Sequence, residues 1–137
     1  MARNTWLAAV VAGLFALPVA AHHSISAEFD TSKPITFTGT VQKVERMNPH
    51  IYTHIETKGA DGKLVVYKVE GGPPNLLYRQ GWRKDTLKPG DTVTVSGIRA
   101  KPATSMNVGV ATITTADGKK IYAGGVSSSA TSQPQAQ

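Results

Sequence analysis

The chain has 137 residues, a formal net charge of +6 and no cysteine. That length suggests one domain. The missing cysteines exclude disulfides, thiol nucleophiles and thiolate metal centres, so the fold must stand on its hydrophobic core alone.

Residues 1–21 have the order of a secretory signal. Arg3 precedes an unbroken apolar run, Trp6 to Leu17, and Pro18 and the small residues Val19, Ala20 and Ala21 follow. A charged start, an apolar centre and a small-residue end mark an export signal peptide. The run is shorter than the about 20 apolar residues that a spanning helix needs. Cleavage after Ala21 removes one basic residue, Arg3, and no acid, leaving 116 residues with a formal charge of +5. A periplasmic or secreted protein with no membrane span after cleavage is expected. Its modest positive charge suits acidic partners or lipid headgroups better than nucleic acid.

Residues 22–33 read as a polar N-terminal arm with few apolar anchors. From Pro34 the pattern alternates, with Ile35, Phe37 and Val41 on one face and Gly39 in the middle of that face, where a bulge or bend is expected. IYTHIET places Ile51, Thr53 and Ile55 on one side and Tyr52, His54 and Glu56 on the other. Asp61-Gly62 predicts a tight hairpin turn before KLVVYKVE. Strands at 35–46, 50–57 and 63–70 form a meander. GGPPNLLYRQGW breaks the alternation. Proline suits the first helical turn, Gly81 suits the left-handed residue that ends a helix, and Trp82 folds back on Leu77. LKPGD is a turn, DTVTVSGIRA and NVGVATITT are strands, and Asp117-Gly118 makes a second hairpin before a short last strand. The two ADGK segments, at 60–63 and 116–119, share turn chemistry and are not a repeat. Residues 125–137 form a tail too polar to pack.

This order predicts a mostly β fold. Residues 34–124 are expected to form a small OB-like barrel of five to six strands, with one short helix between strands 3 and 4. The alternative is an open β-sandwich of similar size.

No catalytic set stands out. GGPPN lacks the Lys-Ser/Thr of a phosphate loop, no Gly-x-Ser-x-Gly elbow occurs, and the nine acids are scattered. The four histidines carry the remaining chemistry. His50 and His54 have a spacing that shares a face only on a helix. On a strand, four residues span about 13 Å, too far for one metal ion. His50 belongs instead to the loop between strands 1 and 2, with Met47 and Asn48 and next to Tyr52. In OB folds that loop and the one between strands 4 and 5 flank the ligand face. The second loop carries Arg99, Lys101, Met106 and Asn107. If the terminus is His22, its amino group and ring can chelate one metal ion. A third nitrogen from His23 or His50 would give a T-shaped set suited to copper(II). A cut one residue earlier gives Ala21-His22-His23, with a histidine at position three, also a chelate for copper(II).

HHS at 22–24, AEFD at 27–30, KPITFTGTVQKVE at 33–45, NPH at 48–50, EGGPPNLL at 70–77, GW at 81–82, LKPGD at 87–91 and ADGK at 116–119 occur together. In this combination the chain resembles a family of small exported bacterial proteins catalogued as a domain of unknown function. The resemblance implies export and a small β-barrel, and it implies no activity.

The sequence therefore points to an exported, non-catalytic binding module for a small molecule, a peptide or a periplasmic protein. Its surface would comprise Met47, Asn48, His50, Tyr52, Arg99, Met106 and Asn107. The alternative is a copper-binding protein using His22, His23 and His50. A metal-dependent enzyme is a third reading.

Overall fold

The first long strand has to serve two neighbours in turn, and its sequence permits this at one point. In the computed structural model, which describes residues 25–122, a short helix α1 (Ile25–Glu28) leads into β1 (Phe29–Arg46). The strand pairs antiparallel with β4 (Thr92–Ala100) over Phe29–Thr40, then with β2 (Ile51–Lys58) over Thr40–Arg46. Gly39 stands at the changeover. A Cβ there would lie 2.3 Å from the Glu56 carbonyl oxygen and 2.8 Å from Ile55 Cγ2, so the backbones cross only because glycine leaves that space empty. The register irregularity itself lies between Val41 and Lys43, just beyond the glycine.

β2 runs antiparallel to β3 (Leu64–Glu70), and β4 runs antiparallel to β5 (Asn107–Thr115). β3 and β5 then pair in parallel at Lys68–Asn107 and Val69–Val108, which closes the ring. A short β6 (Lys120–Tyr122) extends β5 on its outside edge. This is the expected OB-like barrel rather than an open sandwich. Alternation places Ile51, Thr53 and Ile55 of β2 inward, fully buried, with Val69, Val93, Val95, Val108 and Ile113 of the other strands. Each such aliphatic side chain contributes about 1.5–3 kcal/mol.

Helix α2 (Pro74–Arg79) lies between β3 and β4 as the proline pair indicates. Gly81 has φ +97°, the Gly81 N–H donates to Tyr78 O (3.2 Å), and the Trp82 N–H donates to Leu77 O (2.9 Å). That pair of bonds ends the helix and folds Trp82 back over Leu77. Both side chains are buried in the barrel core.

Two expectations change. Asp61-Gly62 does not form a two-residue turn. Gly59 N–H donates to Lys63 O, Gly62 N–H donates to Gly59 O, and only Gly62 is left-handed, at φ +76°. The loop is thus three residues, Ala60 to Gly62, a β-turn closed by a left-handed glycine. The second ADGK repeats it: Thr115 N–H donates to Lys119 O, Gly118 N–H donates to Thr115 O, and Gly118 has φ +84°. The arm also has an anchor. Phe29 is buried and pairs with Ala100, so the first strand begins well before the alternation from Ile35. A lone aromatic among polar residues gives no periodic signal, and its burial depends on Gly109, where a Cβ would meet the Phe29 ring at 2.4 Å.

Gly39→Ala should destabilise the barrel by about 1–3 kcal/mol, the usual range for overpacking. Because the nearest obstruction is the Glu56 backbone carbonyl, movement of the Ile55 side chain alone does not relieve it. Chemical denaturation of the two proteins measures the loss, and equal midpoints would refute the crossing role of Gly39.

Candidate functional site

Barrel closure determines what faces what. The parallel β3–β5 pair brings the 101–106 loop beside Lys68, whose N–H donates to Met106 O at 3.0 Å. The β2–β3 register puts Tyr52 opposite Glu70 and His54 opposite Lys68. These four side chains lie on the outer face, because their neighbours Ile51, Thr53, Ile55 and Val69 point inward. The candidate site is this outer face, called the first cleft below for the two loops that flank it. Its floor is Tyr52, Lys68 and Glu70. The 47–50 loop, where the Asn48–Pro49 peptide is cis, forms one wall. The 101–106 loop forms the other, and Lys101 N–H ties Glu28 to that wall by donating to its carbonyl at 2.9 Å.

His50 is the best-fixed polar group in the cleft. Its Nδ1 lies 2.7 Å from Glu70 Oε1, with 34% of the His50 side chain and 17% of the Glu70 side chain exposed. The contact is a close approach that becomes a charge pair when the imidazole is protonated. Nε2 makes no hydrogen bond among the described residues. The His50 ring stands edge-on to Tyr52, with centroids 6.3 Å apart, and Lys68 Nζ lies 4.0 Å above the Tyr52 ring.

The electrostatics of the floor follow from burial and crowding. Burial pushes the Glu70 carboxyl above the ordinary carboxylate range. The facing His50 pulls it down, Glu28 adds to the rise and Lys68 opposes it. Burial likewise raises the Tyr52 phenol, and Glu70 and Glu28 raise it further. Glu28 therefore acts across the cleft on both floor residues.

The two strand histidines do not converge. His54 Nε2 pairs with Glu45 Oε2 at 3.1 Å. The Lys43 ammonium and then His54 hold the exposed Glu45 carboxyl down at about 2. The H-x-x-x-H spacing is thus split between two carboxylates, as strand geometry requires. Among the other expected surface residues, Met47 and Met106 are 49% and 40% exposed. Asn48 is exposed on the first loop, and Asn107 pairs with Lys68 at the ring closure. Arg99 points away from the floor toward its own loop, reaching Ala103 O at 3.5 Å. His22 and His23 lie outside the described residues. Among the described residues, no three His, Asp or Glu side chains gather closely enough to hold a metal ion.

Glu70, Lys68 and Glu28 were not legible as site residues. Glu70 had one signal, because a hairpin at Asp61-Gly62 puts Tyr52 within one residue of it. The three-residue loop shifts the register by that one residue, and a one-residue shift reverses which face a side chain takes.

A second cleft, of about 600 Å³, sits at the far end of β4 and β5 and is lined by Arg83, Asp91, Thr115, Asp117 and Lys119. Its charges are mostly occupied within the fold. Arg83 Nη1 donates to Tyr78 O and Trp82 O, Asp91 accepts from the Lys88 N–H, and Asp117 accepts from the Thr115 hydroxyl. The first cleft, with an unengaged imidazole nitrogen and a partly buried carboxylate, is the better candidate.

Residues 10–110 match the model of a family of unknown function, DUF6152. The chain belongs to this family. Membership agrees with the resemblance in that both point to a domain of unknown function, and DUF6152 brings no activity with it. No curated protein and no solved structure matches the chain. Among the described residues, no helix is long and apolar enough to cross a membrane.

The raised Glu70 carboxyl makes a pH prediction. A group that binds its proton more tightly when folded stabilises the fold fully below its unfolded pKa. That contribution is lost as pH rises through the folded value. Thermal stability of the wild type should therefore fall between about pH 4 and the raised Glu70 value relative to Glu70→Gln. The lowered Glu45 works in the opposite direction and at lower pH, being lost only as pH falls toward about 2. Parallel melting profiles of wild type and Glu70→Gln above pH 4 would rule out a buried, strained carboxylate.

Proposed function

We propose that this protein is an exported, non-catalytic binding module that works in the periplasm or outside the cell. Its ligand face is the cleft between the 47–50 and 101–106 loops. The observation that carries this reading is the grouping of Tyr52, Lys68 and the His50–Glu70 pair on the outer face of β2 and β3, between those loops. OB folds take ligands on that face. The floor offers both charge signs, an amphipathic ring and flexible exposed methionines on its loops. That chemistry suits a small polar molecule, a peptide or a protein loop. Export is supported by the charged, apolar and small-residue order of residues 1–21.

Immobilised mature protein should retain partners from a periplasmic extract that Tyr52→Ala and Lys68→Ala release. Lys119→Ala, at the other cleft, should retain them. Equal retention by all four proteins would move the working surface elsewhere.

A second reading is copper(II) binding by a mature terminus beginning at His22, with His23 and His50 as further donors. Its support is the 2.7 Å approach of His50 Nδ1 to Glu70 Oε1, which leaves Nε2 as the ring nitrogen with no hydrogen bond among the described residues; carboxylates commonly stand behind metal-bound histidines in this way. Titration of the mature chain should then give one tight copper(II) per protein, and acetylation of the α-amino group should abolish it. Unchanged affinity after acetylation would exclude the terminus as the anchor.

A further inference from the structure

The ring of strands closes on only part of β3. Lys68 and Val69 pair with Asn107 and Val108 of β5. Leu64, Val65, Val66 and Tyr67 pair with β2 on one side and, among the described residues, with no strand on the other. The ladder fixes which backbone groups point outward. Lys68 N–H donates to Met106 O, on the side away from β2. In an antiparallel ladder the N–H and C=O of one residue point to the same side, and the side alternates along the strand. Leu64 and Val66 therefore turn both their N–H and their C=O outward, as Lys68 does. No backbone hydrogen bond engages those outward groups among the described residues. The open edge, from Leu64 to Tyr67, is about 13 Å long.

Leu64 and Val66 also present their side chains, which are 65% and 40% exposed. These lie on the outer face of β3, in line with Lys68 and Glu70 of the floor, because the alternate residue Val69 points into the core. An exposed apolar edge with unpaired N–H and C=O groups is a template for another strand, and proteins blunt such edges with proline, charge or bulges. The edge here reads Leu-Val-Val-Tyr and carries none of these. The groups themselves select the occupant. Alternating donors and acceptors match an extended peptide backbone, which a lipid or a sugar does not offer. A second copy of β3 fits less well. Pairing across a two-fold axis with Leu64 opposite Val66 would bring Gly62 of its hairpin opposite Lys68, whose outward side Met106 occupies. A separate peptide carries no hairpin and can end at Met106.

Building on the binding-module reading above, we infer that this protein takes an extended peptide segment as an added strand on the open edge of β3, beside the first cleft. The N–H and C=O groups of Leu64 and Val66 bond the peptide backbone. Their side chains meet apolar side chains at alternate positions of the peptide. The added strand stops at the 101–106 loop, next to Lys68. Val65 and Tyr67 take no part, because their backbone groups face β2.

The probe is a short capped peptide that alternates valine and threonine, with glutamate at both ends for solubility. It is added to the full mature protein, and amide hydrogen exchange is read residue by residue by NMR. In the free protein the Leu64 and Val66 amides should exchange fast, and those of Val65 and Tyr67 slowly. Excess peptide should slow Leu64 and Val66 by about 10-fold or more. Methylating every second backbone nitrogen of the peptide should abolish this effect in one phase and spare it in the other, since only alternate groups of an added strand face β3. Val66→Pro removes one outward donor and no bond to β2, so it should weaken the effect. Three results overturn the inference. One is a peptide that slows neither amide. Another is a pair of methylated peptides that both act like the parent. The third is protection of Leu64 and Val66 before peptide is added, from this chain itself if independent of protein concentration and from a second copy if it rises with concentration. Each leaves the cleft reading standing, because release of extract partners by Tyr52→Ala and Lys68→Ala tests that separately. If the peptide protects the edge while those two variants retain their partners, the edge inference holds and the cleft reading falls.

Discussion

The barrel depends on one strand changing partner along its length within a single closed sheet. β1 pairs with β4 and then with β2, and the exchange occurs where Gly39 lets the Glu56 carbonyl come within 2.3 Å of the place a Cβ would take. If β1 could not bend there, β2 and β3 would splay from β4 and β5. The parallel contact of Lys68–Val69 with Asn107–Val108 would not form. That contact is only two residue pairs long. It is sufficient because the core behind it, Val69, Val95, Val108 and Ile113, is fully buried and makes the closed state the one that removes most apolar surface from water.

Closure also produces the cleft. The loop ending in Met106 is brought beside Lys68 by the same contact that seals the ring, and Lys68 in turn lies over Tyr52. The cleft is thus a consequence of core packing, with rigid strands as its floor and loops as its walls. Sites held on strands keep their geometry better than sites on loops alone. His50 gains that rigidity although it belongs to a loop, because its partner Glu70 closes a strand.

The polar groups of this face divide into two pairs with different energetics. Glu45 is part-exposed, and its partners Lys43 and His54 hydrogen-bond its carboxylate and stabilise its charge. Glu70 is half-buried, and burial disfavours its charge more than His50 relieves it. A carboxylate held in that state is costly to the fold, and such cost is a recurrent feature of functional sites. The same contrast explains why the far cleft, though roomy, is chemically quiet. Two of its three carboxylates, Asp91 and Asp117, and its arginine are engaged in turns and helix capping.

The sequence by itself determined the strands, the helix and the loop positions, because those depend on local patterns. Alternation within β2, the proline pair before α2, Gly81 and Trp82 after it, and the matching ADGK turns each act over a few residues. The barrel followed from their order, and the loop histidine was visible from its place before a strand. Tertiary structure decided which carboxylate each histidine meets, where the arm is anchored and which face Lys68 and Glu70 occupy. The pairing of His50 with Glu70 depends on a hairpin register that a single extra loop residue resets. The seat of Phe29 depends on Gly109, far along the chain. Local propensity carries no information about either, since both arise only when strands distant in sequence are brought together by the closing of the core.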